Sequence, residues 1–229
     1  MPQARLVCAL LLVLGSIDVV PVRADDNPYI ALASWTPLFD GSSLQGWKRM
    51  GGKAEAWGVE NGCLVSFGEG GGWLGTERTY RDFELSLAFK VSAGSNSGIY
   101  LRAPADTSHI SRTGMEIQIL DGTHPRHKGI KDWQKTGALY HVAAPKPGHE
   151  KPVGEWNTLV IRADGPHLTI HLNGALIVDD RLDRHPELDA EHPGLKRADG
   201  LIGLQSHNGR VDFKDIKVRI LPTKLVPAR

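Results

Sequence analysis

From residue 37 onward the chain runs in short alternations of apolar and polar residues, each broken by glycine, proline, asparagine or aspartate. No segment there holds a helical period for ten residues. The alternating runs are 57–66, 83–90, 98–102, 115–120, 158–163, 168–173, 201–207 and 211–220. Period-two runs with frequent turn residues predict antiparallel strands. Glycine is abundant, at 26 residues, with a cluster at 68–72 and the turn pairs Asn61-Gly62, after Glu60, and Asn173-Gly174, where Asn-Gly supplies the positive φ angles of tight hairpins. Residues 186–196 can hold at most a helical turn within a long polar loop. The pattern predicts an all-β fold of two packed antiparallel sheets, a jelly-roll-like sandwich.

The N-terminus differs in kind. Arg5, the apolar stretch from Leu6 to Ile17 and then Val22-Arg23-Ala24 form the pattern of a secretory signal peptide over residues 1–24. The apolar stretch is shorter than the roughly 20 residues of a membrane-spanning helix, so a periplasmic or extracellular protein that does not span the membrane is expected. Residues 25–36 read as a surface leader and 37–222 as one domain, a common length for an all-β unit. Cleavage before Asp25 removes Cys8 and leaves Cys63 without an internal disulfide partner. Cys8 also precedes most of the apolar stretch, opposite to the order a lipid anchor needs. A net charge of +1 without a long basic run lacks the footprint of a nucleic-acid binder, and the ligand is expected to be neutral or weakly charged.

Side-chain alternation sorts the polar residues by face. Ile117 and Ile119 point to the core, leaving Glu116 and Gln118 outward. Ile99 and Leu101 leave Tyr100 and Arg102 outward, and Gln205 with His207, and Glu84, Ser86 and Lys90, are sorted the same way. If these strands are neighbours, one polar face gathers an acid, an imidazole, a guanidinium and an ammonium able to hold a sugar and move its protons. Each has a plainer reading: a solvated surface for Glu84 and Lys90, a core edge for Tyr100, a cross-strand ion pair for Glu116 with Arg102, an exposed turn for His207. Trp47, Trp57 and Trp156 fit core indoles. Three long connections, 103–114, 122–136 and 179–200, are candidate binding elements. Trp133 lies in the second, a candidate platform for a sugar ring. Asp121, His124 and His127 there form a weak metal-ligand pattern.

The chain resembles the 3-keto-disaccharide hydrolase family. The likeness is carried by Pro37-Leu38-Phe39-Asp40-Gly41, by Asp82-Phe83-Glu84-Leu85 and by Asn96-Ser97-Gly98-Ile99-Tyr100-Leu101-Arg102. It continues in Glu116-Ile117-Gln118-Ile119-Leu120-Asp121, Gly137-Ala138-Leu139-Tyr140, Gly154-Glu155-Trp156-Asn157 and Ile202-Gly203-Leu204-Gln205 followed by His207. The resemblance implies a concanavalin-like lectin/glucanase jelly roll and a substrate oxidised to a ketone at carbon 3, a 3-keto-glucoside or 3-keto-disaccharide. Such a ketone acidifies the hydrogen on carbon 2, so a base can remove it, the glycosidic oxygen leaves by elimination, and water then adds to the glucal.

In that reading Glu116 binds the sugar or acts as base, Arg102 and Lys90 stabilise the enolate or hydroxyls, and His207 shuttles the proton. Gln118, Asn96 and Gln205 hold hydroxyls, with Tyr100 and Trp133 in contact. Which of Glu116, His207 and Lys90 removes the proton stays open. The residues fix no cofactor, and a divalent ion is an alternative electrophile to Arg102. Ala88 stands where an outward acid would complete the strand. The retaining pair of an ordinary glycosidase is not offered, because the next outward residue after Glu116 is Gln118. The main competing reading is a non-catalytic carbohydrate-binding module of the same fold, followed by a structural domain packed on a larger partner.

Overall fold

A computed structural model describes residues 34–106 and 109–222. The expected signal peptide and nearly all of the leader lie outside the described residues. Among those described, thirteen strands and one short helix follow in order: β1 Thr36–Pro37, β2 Trp47–Met50, β3 Trp57–Glu60, β4 Cys63–Ser66, β5 Trp73–Tyr80, β6 Phe83–Val91, β7 Asn96–Ala103, α1 Ile110–Thr113, β8 Met115–Leu120, β9 Asn157–Asp164, β10 His167–Leu172, β11 Ala175–Arg181, β12 Gly200–Gln205 and β13 Val211–Ile220. The strands form two antiparallel sheets. One has the order β11-β10-β9-β6-β13-β4-β3 with β1 added against β13, and the other β2-β5-β12-β7-β8.

The alternation read from sequence decides what lies between the sheets. Leu85, Leu87 and Phe89 of β6, Leu159 and Ile161 of β9, Ile99 and Leu101 of β7, Ile117 and Ile119 of β8, and Ile202 and Leu204 of β12 share one buried core. Removing this apolar area from water is the main stabilising term. Trp47 and Trp57 join it, as expected of core indoles. Two hairpins turn where Asn-Gly stands, Asn61-Gly62 between β3 and β4 and Asn173-Gly174 between β10 and β11. All four residues lie at positive φ, the geometry that matches strand twist.

Three strands have no simple period. The first half of β5 is buried on both faces, so it does not alternate. β2 is only four residues long, and β11 pairs across a register shift at Ile170/His171. Residues 186–196 do form 3-10 turns, at Pro186–Leu188 and Pro193–Lys196. Thr36, read as leader, pairs with Val218. Cys63 is a buried free thiol. Among the described residues no helix is long and apolar enough to cross a membrane.

The two-sheet arrangement corrects part of the expected polar face. β6 belongs to the larger sheet, so Glu84 and Lys90 lie away from Glu116. Glu84 is bound by Arg162 at 3.0 Å and by Arg219. Lys90 pairs with Asp212 at 3.0 Å and lies over the ring of Trp156. Trp156 is therefore no core indole: it is half-buried and also carries Lys214.

Candidate functional site

The smaller sheet brings Glu116, Gln118, Tyr100 and Gln205 together on its outer face. Glu116 is the direct cross-strand partner of Tyr100, Gln118 of Gly98, and Gly203 of Tyr100. The glycines shape this face. A Cβ on Gly98 would lie 2.3 Å from Glu116 Oε1, and one on Gly203 2.4 Å from the indole of Trp73. A side chain at either position would displace its neighbour. The indole rests on Gly203 and Gly75, donates to the Asp106 carbonyl at 3.1 Å and meets Tyr100 edge-on with ring centroids 5.6 Å apart. With Ala103, Ile110 and Leu201 these two rings form a second apolar cluster.

At the boundary of that cluster Glu116 is 4% exposed. Burial pushes its carboxyl up to about 8, against a smaller opposing hydrogen bond from Gln205, the expected response of a desolvated acid. No cation pairs with it among the described residues. Gln118, with its amide nitrogen turned inward, donates to Glu116 Oε1 at 3.3 Å and to the Ser97 carbonyl at 3.0 Å. Gln205 Nε2 donates to the Tyr100 hydroxyl at 2.7 Å. Burial and then the neighbouring Glu116 raise the Tyr100 hydroxyl above the usual phenol range. Asn96 is half-buried on β7, its backbone paired with Asn208. His207 follows the end of β12 and reaches the surface. Partial desolvation, with His127 and Arg126 adding to it against an Asn208 hydrogen bond, holds its imidazole below its ordinary value.

The three long connections meet beside this strand, and here the structure adds residues that alternation missed. The Tyr140 amide donates to the Glu116 carbonyl at 2.9 Å. Trp133 stacks on His141 with centroids 4.0 Å apart and meets Tyr140 edge-on at 5.2 Å, while His192 lies 5.3 Å from His141. His192 is 2% exposed. Burial comes first in lowering both imidazoles; Arg112 adds to each, Lys131 to His141 and His141 to His192, while Glu191 opposes. His141 also has φ 67°, a left-handed backbone costly for a residue with Cβ and concentrated at functional sites. The available sequence signal was loop length: 103–114, 122–136 and 179–200 contribute Arg112, Trp133 and His192.

Arg102 does not join Glu116. The β7–β12 ladder runs from Leu201↔Ala103 to Gly203↔Tyr100, so β7 carries one extra residue, a bulge that re-aims side chains. Arg102 takes φ 47° there. Its guanidinium is buried at the end of the sandwich, donating to the carbonyls of Arg81 and Arg197 at 3.0 and 3.2 Å and to Asp82 at 3.2 Å. The metal pattern does not converge either. Asp121 accepts from the Gly94 amide at 2.8 Å and from the Thr123 amide and hydroxyl, His127 Nδ1 meets the Asp121 carbonyl, and His124 Nδ1 accepts from the Arg126 amide. Among the described residues no three His, Cys, Asp or Glu side chains gather as a metal site.

Comparison with known proteins agrees with this fold and places the chain more narrowly. Residues 34–219 match the model of the 3-keto-alpha-glucoside-1,2-lyase-like domain. The chain is 29% identical over 248 aligned positions to a 3-keto-disaccharide hydrolase of Bacteroides thetaiotaomicron, covering 90% of this chain and 83% of that protein. Among solved structures it is similar to a candidate glycosyl hydrolase from Parabacteroides distasonis, with 25% identity, TM-score 0.71 and coverage of 88% of this chain and 99% of that one. A Bacillus subtilis protein with a galectin-like fold superposes at TM-score 0.56 over 82% of this chain and 94% of its own, at 12% identity. That last likeness bears on the fold alone and agrees with the jelly-roll sandwich.

Proposed function

Since the chain belongs to the 3-keto-alpha-glucoside-1,2-lyase-like domain family, we propose that it is an enzyme cleaving 3-keto-disaccharides or 3-keto-glucosides by elimination and hydration. The chemistry of Glu116 carries this reading. A buried carboxyl titrating at about 8 is protonated at neutral pH, which suits a general acid and not the ionised nucleophile of a retaining glycosidase. The carboxylate at the end of the same strand, Asp121, is held by Gly94 and Thr123. A keto sugar needs no carboxylate pair, because its carbonyl supplies the acidity.

In this mechanism the neutral imidazole of His207 takes the proton from carbon 2, and the electron pair passes to the ketone oxygen as an enolate. The Tyr100 hydroxyl, which accepts from Gln205 Nε2 at 2.7 Å, keeps its own hydrogen and can donate it to that oxygen. As the carbonyl re-forms, a double bond forms between carbons 1 and 2 and the bond from carbon 1 to the glycosidic oxygen breaks. Glu116 protonates the departing oxygen. Glu116, now ionised, then takes a proton from water as its oxygen bonds to carbon 1, and His207 returns a proton to carbon 2, so both groups are reset and the net change is hydrolysis. Trp133, stacked on His141 and with the exposed Lys131 ammonium 5.5 Å over its ring, is the aromatic group beside this strand against which the second ring would lie once Lys131 swings aside. The N-terminal signal pattern supports action outside the cytoplasm.

The test is incubation with a 3-keto-glucoside and its unoxidised parent, following aglycone release. Cleavage of the keto compound alone supports elimination. Binding without cleavage of either would instead support a carbohydrate-binding module.

A further inference from the structure

The end of the sandwich holds a cavity of about 440 Å³ apart from the Glu116 face, with Arg102 in its wall. That size falls in the range of roughly 300–1,000 Å³ typical of small-molecule sites. It opens where the bulge of β7 delivers Arg102, between the β5–β6 and β9–β10 turns and the 3-10 segments after β11. A Cβ on Gly200 would lie 2.4 Å from the Arg102 carbonyl carbon, so the strained arginine backbone is pressed against a glycine that leaves it room. A left-handed backbone and a buried guanidinium are both costly features to maintain at one residue.

The charges around the cavity are largely settled among themselves. Asp183 is paired with Arg181 at 2.7 Å and Asp189 with Lys196 at 2.6 Å. Asp82 Oδ1 accepts from Arg102 and from the Gly165 amide. What remains is hydrogen-bonding capacity. Arg197 uses Nε on the Arg102 carbonyl at 2.8 Å, and its two Nη groups have no hydrogen-bond partner among the described residues. Asp82 Oδ2 is approached by Arg81 Nε at 3.9 Å, beyond hydrogen-bond reach. Beside these planar donors and acceptors stand the apolar Leu182, Leu195 and Pro186.

We propose that this cavity is a second carbohydrate-binding site, for a neutral sugar ring. Vicinal hydroxyls match the donors of a guanidinium Nη pair and the acceptor of a carboxylate oxygen, both held in the cavity wall through Arg102, and the C–H face of a pyranose matches the leucine and proline wall. A simple anion would meet Asp82, and a simple cation would meet Arg102 and Arg197. The site does not depend on the reaction at Glu116, so either reading can fail alone.

Leucine-methyl NMR of the purified protein tests this with glucose and maltose as probes, and glucuronate and inorganic phosphate as charged comparators. Saturable shifts of the Leu182 and Leu195 methyls with glucose or maltose are expected. Arg197→Ala and Ala198→Trp, the latter placing bulk at an exposed point of the lining, should each weaken that response at least tenfold with turnover of a 3-keto-glucoside unchanged. If Arg197→Ala fails to fold, Ala198→Trp still decides. The proposal is overturned if neither sugar moves these methyls, if only glucuronate or phosphate does, or if the folded variants respond like the parent.

Discussion

Glu116 and Tyr100 face each other across the β8–β7 ladder, and both are held in their protonated forms. The consequence for catalysis is a pH window. Glu116 must keep its proton, so activity should fall as pH rises through about 8. His207 must be neutral, and its value is depressed, so the acid limb should lie below the ordinary histidine range. A profile of kcat/KM against pH for a 3-keto-glucoside checks this. In Glu116→Gln the alkaline limb should vanish and kcat should drop by about 10²-fold or more, as for loss of a general acid.

The same carboxyl carries a stability signature. Its folded pKa lies above that of an unfolded glutamate, so the native state binds the extra proton. Stability contributed by Glu116 is therefore fully present below the unfolded pKa and is lost as pH rises through about 8. A tenfold difference in proton affinity between the two states corresponds to about 1.4 kcal/mol, which sets a ceiling of a few kcal/mol on the whole effect. Glu116→Gln should match the parent in thermal melting near pH 4 and melt higher than the parent at pH 9. Equal melting at both pH values would mean that the carboxyl is not desolvated.

Much of this was legible in the sequence because alternation reports which face a residue takes. It sorted Ile117 from Glu116 and Ile99 from Tyr100 correctly, and the Asn-Gly pairs marked hairpins. What alternation cannot report is which sheet a strand joins. Lys90 and Glu116 are both outward, yet on different sheets, because pairing partners are set by packing over long sequence separations. A bulge likewise defeats it. Arg102 stands in phase with Tyr100 in the sequence, and one extra residue in β7 sends it to the end of the sandwich. His141 and His192 lie in loops without any period, so only the assembled fold brings them to Trp133.

These displacements make a contrast between two cations. Lys90→Ala should leave turnover of the keto sugar unchanged within a factor of about two, since its partners are Asp212 and Trp156. Arg102→Met removes a buried charge from Asp82 and from two carbonyls. Breaking one side of a buried pair typically costs about 3–5 kcal/mol, so a lower denaturation midpoint is expected. Any fraction that remains folded should keep the parent pH profile. A normal midpoint with an altered profile would return Arg102 to the reacting centre.

The His141–Trp133 stack separates strain from binding. His141 sits at φ 67°, a conformation costing roughly 1–2 kcal/mol for a residue with Cβ and little for glycine. His141→Gly and His141→Ala both remove the ring, but only glycine relieves the backbone. His141→Gly should therefore be more stable than His141→Ala by about 1 kcal/mol in urea denaturation. If the stacked pair is the platform for the second sugar ring, both variants and Trp133→Ala should raise KM several-fold, consistent with about 0.5–1.5 kcal/mol for an aromatic contact, with kcat close to the parent. A loss confined to kcat in the two His141 variants, with KM unchanged, would instead move His141 from holding the sugar to transferring its proton.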